Sequence, residues 1–162
     1  MGKQRDQRSR KLVLVDLENV LFGRHETTDL SVLRERSSEL QALAQARRSE
    51  DQLLVGCNPQ LVFAARGAFP RAKIVVGKGA DGADRALLDA FDLDVAFRRF
   101  SEVCIVSGDH AFADLAYEVR QAGLDLRVLA PKFGLSTDLR LQATSTTLLS
   151  TPTTNAALAE AA

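Results

Sequence analysis

The chain has no tryptophan, one tyrosine, two cysteines and two histidines in 162 residues. Two cysteines cannot build the disulfide framework of a small secreted domain. Cys57 and Cys104 each lie inside an apolar run, which suits reduced, buried thiols. Aromatic residues make up only 6%, and the phenylalanines fall mostly at apolar helical positions. They therefore read as core and not as base-stacking platforms. His25 has no metal-ligand companions at suitable spacing. No apolar stretch approaches the ~20 residues that a membrane helix needs. The basic start is not followed by a signal-peptide core before Asp16, so the expectation is a cytoplasmic protein with no membrane partner. Net charge is missing too: 21 basic residues balance 21 acidic ones. No bulk field marks out a nucleic acid or a basic partner.

What is present fills about one domain with a single sizeable core. Residues 1–11 carry five basic residues against one acidic, a net of +4. This arm is solvated or gathers phosphates by counterion release. Residues 12–150 form the folded part, and 151–162, rich in Thr, Ala and Asn without periodicity, read as a tail. Five short runs, Leu12–Val15, Leu53–Cys57, Ala72–Val76, Val103–Val106 and Leu126–Ala130, are apolar without clean alternation. That pattern marks strands covered on both faces of a parallel sheet. Helical spacing predicts helices near 29–47, 59–68, 83–99, 110–122 and 136–143, with a last short strand at Thr147–Leu149. Strand and helix alternate, so the class is α/β with a mainly parallel sheet.

In an open parallel sheet, ligands bind beyond the carboxyl ends of the strands, at the switch point in strand order. The first strand ends in Asp16-Leu17-Glu18-Asn19 and the fourth in Ser107-Gly108-Asp109-His110. A doubly wound order 3-2-1-4-5 makes those strands neighbours. Asp84, at the start of the helix that leads to strand four, reaches the same edge, and Asp114 follows Asp109 by one turn. Like charges ~4 Å apart repel by ~4 kcal/mol at an effective dielectric of ~20. A divalent cation removes that cost, and oxygen-only ligands select Mg²⁺ or Mn²⁺ over zinc. Such ions activate water and offset charge on a phosphoryl group. Plainer roles stand beside this one. Asp109 suits an N-cap, Asp81 and Asp84 suit a capping pair, and Asp89 and Asp114 suit solvated helix positions. Asp16, after four apolar residues, is expected to be buried, and buried unpaired carboxylates are rare.

Three segments carry a family resemblance: Leu12-Val13-Leu14-Val15-Asp16-Leu17-Glu18-Asn19, Lys78-Gly79-Ala80-Asp81-Gly82-Ala83-Asp84-Arg85, and Val106-Ser107-Gly108-Asp109-His110. In order and at this spacing they resemble the NYN domain, a branch of the PIN-like nuclease superfamily, over about residues 11–150. The resemblance implies a Rossmann-like PIN-type α/β/α sandwich with a mainly parallel five- or six-stranded sheet. It also implies a metal-dependent ribonuclease. Asp16, Asp84 and Asp109 match its acidic metal positions. Asn19 matches a residue that orients the first acid, and Ser107 one near metal and phosphate. Many members carry a second acid two residues after the Ser-Gly-Asp aspartate. Here that position is Ala111, and Asp114 stands one turn later as a fourth acid.

The resulting expectation is an endoribonuclease that uses Mg²⁺ or Mn²⁺ on RNA, with Lys78 and His110 near the backbone of the substrate. The glycine-containing loop at 77–82 lacks Walker spacing, which argues against a nucleotide phosphate loop. One rival is a catalytically weak or inactive RNA-binding or regulatory module of the same fold, which Ala111 favours. Another is a small-molecule phosphohydrolase, against which the first strand lacks the Asp-x-Asp of haloacid-dehalogenase-type phosphatases. The sequence leaves a homo-oligomer open.

Overall fold

The computed structural model describes residues 10–21, 30–46 and 50–150. His25, most of the basic arm and the 151–162 tail lie outside the described residues. Six short strands, β1 (Lys11–Asp16), β2 (Gln52–Cys57), β3 (Lys73–Val76), β4 (Glu102–Val106), β5 (Asp125–Pro131) and β6 (Ser145–Leu149), form one sheet. Its order is β3-β2-β1-β4-β5-β6, and every neighbouring pair is parallel. The order expected from the sequence holds, and β6 extends it by one strand.

The continuous apolar runs resolve into two faces, because successive side chains of a strand point to opposite sides. Val13, Val15, Val55, Cys57, Cys104 and Val106 face one layer. That layer holds α1 (Leu17–Val20), α2 (Leu30–Leu43) and α3 (Val62–Ala68). Leu12, Leu14, Leu54, Val103, Ile105 and Val128 face the other. There lie α4 (Gly82–Ala90), α5 (Leu93–Arg99), α6 (Ala113–Gln121) and α7 (Thr137–Gln142). The result is an α/β/α sandwich with both cysteines buried and free. Among the described residues no helix is long and apolar enough to cross a membrane.

Several local expectations are corrected. The single helix expected across 83–99 is two. Phe91 is extended, and the Asp92 carboxylate accepts a hydrogen bond from Val95 N at 2.9 Å, which starts α5 anew. An N-cap of this kind satisfies a backbone donor that a continuous helix would have bonded internally. The helix at 59–68 opens with a 3₁₀ turn, Pro59–Leu61, and so does the segment after Asp109, with His110–Phe112. The short α1 directly after β1 was not expected. Nor are the phenylalanines uniformly core. Phe69, Phe100 and Phe112 are buried, whereas Phe63 and Phe97 stand on solvent-facing helix positions and Phe133 on a loop.

Candidate active site

Asp16 and Ser107 meet because of strand parity. Asp16 follows Leu12 and Leu14 on the α4 side of β1, and Ser107 follows Val103 and Ile105 on the same side of β4. Val15 pairs with Val106, so the next residue of each chain comes level with the other. Ser107 Oγ donates to Asp16 Oδ2 at 3.0 Å, and Asn19 N donates to Asp16 Oδ1 at 3.3 Å. Asp109 N in turn donates to Ser107 Oγ at 3.1 Å. Asn19 Oδ1 accepts from Gly108 N at 3.0 Å, a second tie between the two strand ends. Asp16 is 2% exposed and Ser107 fully buried.

Asp84 reaches this point through a run of close backbone approaches. Gly56 is the register partner of Asp16 on β2. A Cβ there would lie 2.6 Å from Leu87 Cγ and 2.8 Å from the Ala83 carbonyl oxygen, so only glycine lets α4 lie this low on the sheet. Gly77 and Gly82 are likewise in backbone contact, since a Cβ on Gly77 would lie 1.8 Å from the Gly82 carbonyl oxygen. The loop between them is braced by Arg85, which donates to Ala80 O at 3.2 Å. Asp84, in the first turn of α4 and 6% exposed, then hydrogen-bonds Asp16.

Two buried carboxyls side by side resist ionising together. Burial, above all, then the hydrogen bond to Asp16 and the charges of Asp16, Asp109 and Asp81 push the Asp84 carboxyl up to about 8. Burial also raises Asp16, and the charge of Glu18 adds to the rise. The hydrogen bonds from Asp84, Asn19 and Ser107 pull it back. Both carboxyls are shifted upward, so the pair as a unit favours keeping a proton toward neutral pH. Among the described residues, the neighbouring charges that act most on the pair, those of Glu18, Asp81 and Asp109, are negative.

The other expected residues fall at varied distances from this centre. Asp109 is half-buried beside it, and its Oδ1 accepts from Ala111 N at 2.8 Å, so it also fills the capping role. Asp81 does not cap α4. It sits in the left-handed region at φ 56° and makes no side-chain cap, so the Asp81/Asp84 capping pair is not realised. Asp114 is exposed on the first turn of α6. Lys78 and His110 are exposed, on the loop before α4 and the turn after Asp109. The contributions of Glu18 and Gly56 were not read from the sequence. Glu18, two residues past Asp16, carried a visible signal, whereas Gly56 carried none until its register with Asp16 was known. A separate cavity of about 370 Å³ opens between α2 and α3 at the opposite edge of the sheet, lined in part by Arg34, Gln41, Asp51 and Phe69.

Among the described residues no three His, Cys, Asp or Glu side chains gather closely enough to hold a metal ion by themselves. The donors do fit a hard cation in kind. Two carboxylates in contact, with only oxygen ligands about them, match the way Mg²⁺ is held by one or two carboxylates, its own waters and substrate phosphates. Among the described residues the charges that act most on the buried acid pair are negative, and a cation would offset them.

Comparison with known proteins bears on the fold and the family. A crystal structure of a protein of unknown function from Vibrio parahaemolyticus RIMD 2210633 shares the fold at a TM-score of 0.61 and 18% identity, covering 91% of this chain and 96% of that one. No curated protein matches the sequence. The family model of the NYN domain matches residues 10–150. The chain belongs to the NYN domain family, within the PIN-like superfamily of nuclease-like folds.

Proposed function

We propose that the protein is a metal-dependent endoribonuclease that hydrolyses RNA phosphodiester bonds at the Asp16–Asp84 pair. The observation that carries the reading is this pair: two buried carboxyls side by side at the switch point of a parallel sheet, among negative neighbours. Asp16 and Asp84, with Asp109 beside them, would hold Mg²⁺ or Mn²⁺. Such an ion lowers the pKa of water and offsets the charge that grows on a phosphoryl group. The chain's own part is positional. Ser107 and the Asn19 amide fix both oxygens of Asp16. Asn19 also holds Gly108, and with it the start of the segment that carries Asp109. A proton held by the pair must leave before both carboxylates can act as ligands. Exposed Lys78 and His110 would meet phosphates of the RNA backbone, and Asp114 is an outlying acid.

Incubating labelled RNA with the protein and Mn²⁺, with and without EDTA, tests the reading. Cleavage should need the ion. Asp16→Asn and Asp109→Asn should remain folded by circular dichroism and lose cleavage, and retained cleavage in either variant would refute the assignment. Ala111 favours a second reading, in which the same fold binds RNA without cutting it. RNA binding without Mn²⁺-dependent products would select that one.

A further inference from the structure

Phe133 is 82% exposed. It stands in the loop between β5 and α7, beyond the carboxyl end of a strand adjacent to β4. Lys132 Nζ lies 5.6 Å from the centroid of its ring. The loop is fastened to the acidic corner. Ser136 N donates to Gly108 O at 2.8 Å, and a Cβ on Gly108 would lie 2.6 Å from the Gly134 carbonyl oxygen. Gly134 itself takes a φ of 110°, which a side chain would strain. Pro131, buried at the end of β5, fixes the other side of the turn. Phe133 is therefore one residue from a backbone packed on Gly108, which precedes Asp109. Consecutive Cα atoms are ~3.8 Å apart, so the ring's own backbone lies on the order of 10 Å from that corner.

We infer that Phe133 is a stacking platform for an unpaired base of single-stranded RNA, with Lys132 placed for an adjacent phosphate. This inference rests on the nuclease reading of the same lip and names its substrate as single-stranded. An aromatic ring left in water gains the burial it lacks when a base covers it. A ring flanked by a cation is the pairing that single-strand binding surfaces use, because every base has a π-face and every linkage a charge. The anchored loop holds the backbone under the ring, so only the side chain is left to order when a base stacks, and its distance from Asp109 suits a nucleotide near the phosphate at the acid pair. A base locked in a duplex cannot present its face to such a ring.

The test uses the full chain in EDTA, with a single-stranded RNA dodecamer carrying 2-aminopurine and the same strand annealed to its complement. Wild-type protein should bind the single strand and quench the 2-aminopurine. Phe133→Ala should weaken single-strand binding by about 5- to 150-fold, the range of one lost base stack, and abolish the quench. Phe133→Tyr should restore both. Lys132→Gln should lower the slope of log affinity against log salt by about 0.7. Unchanged affinity and quench in Phe133→Ala, or an equal loss on the duplex, would overturn the inference. If Phe133→Ala behaves like wild type while Mn²⁺-dependent cleavage persists, the inference fails and the nuclease reading stands. A Phe133-dependent quench without Mn²⁺-dependent cleavage supports the stacking platform and removes the nuclease reading.

Discussion

Gly56 pairs with Asp16 across the β1–β2 ladder, and the first turns of α4 rest on it. Adding a Cβ there drives a methyl into Leu87 and the Ala83 carbonyl, and the helix carrying Asp84 must lift. Gly56→Ala should cost about 1–3 kcal/mol, as overpacking of a filled core does. Because Asp84 would part from Asp16, cleavage should fall further than stability does. Chemical denaturation read beside an RNA cleavage assay separates the two effects. A variant as stable and as active as wild type would mean that α4 is not held by this contact.

The strands were legible because Val, Ile and Leu crowd into short runs without alternation, and only a sheet buried on both faces asks for that. The burial of Asp16 followed from the same run. The meeting of Asp16 with Asp84 was legible in outline, since strand order brings β1 and β4 together and α4 begins at the same edge. Three features were not. The break at Asp92 is invisible to periodicity, since Leu88, Phe91 and Val95 keep helical spacing across it, and one side-chain cap decides it. Gly56 looks like any strand glycine until a helix is known to lie on it. Phe133 counts as one more apolar residue until the loop holding it is seen to leave the core.

Ser107 offers a subtler test of how Asp16 is held. Its hydroxyl is a donor to a buried carboxylate and an acceptor from Asp109 N. Ser107→Ala removes both bonds and should destabilise the protein by about 1–3 kcal/mol. It also removes one of the bonds that favour the charged form of Asp16, so the pH at which cleavage rises should move upward. Activity should fall by about 10- to 100-fold, the usual cost of losing a group that orients a ligand. Ser107→Thr keeps the hydroxyl and should recover part of the loss. A pH–rate profile identical to wild type in Ser107→Ala would show that the hydroxyl does not tune Asp16.

Asp114 separates acids at the centre from acids near it. It is exposed on α6, and an exposed charge acts weakly through screened solvent. Asp114→Asn should leave cleavage within about threefold of wild type and stability unchanged. Asp109→Asn, beside the pair, should lose cleavage. If Asp114→Asn matched Asp109→Asn in its loss, the outer acid would be supplying the charge that Ala111 leaves missing.

A proton held by the Asp16–Asp84 pair ties stability to pH in the metal-free protein. Burial and its acidic neighbours push the Asp84 carboxyl up to about 8 in the folded protein, from an ordinary value of 3.8. Between those values the folded state holds a proton that the unfolded chain has released, so stability must fall as pH rises. The contribution is full below pH ~4 and is lost as pH passes ~8, at no more than about 1.4 kcal/mol per pH unit. Urea denaturation in EDTA should show this decline, and Asp84→Asn should flatten it. Added Mn²⁺ should compete with the proton and take its place as pH rises. Its ligands must be deprotonated, so its stabilisation should be small near pH 5, grow toward pH 8, and vanish in Asp16→Asn. A wild-type profile flat from pH 4 to 8 in EDTA would mean that the Asp16–Asp84 pair keeps no such proton.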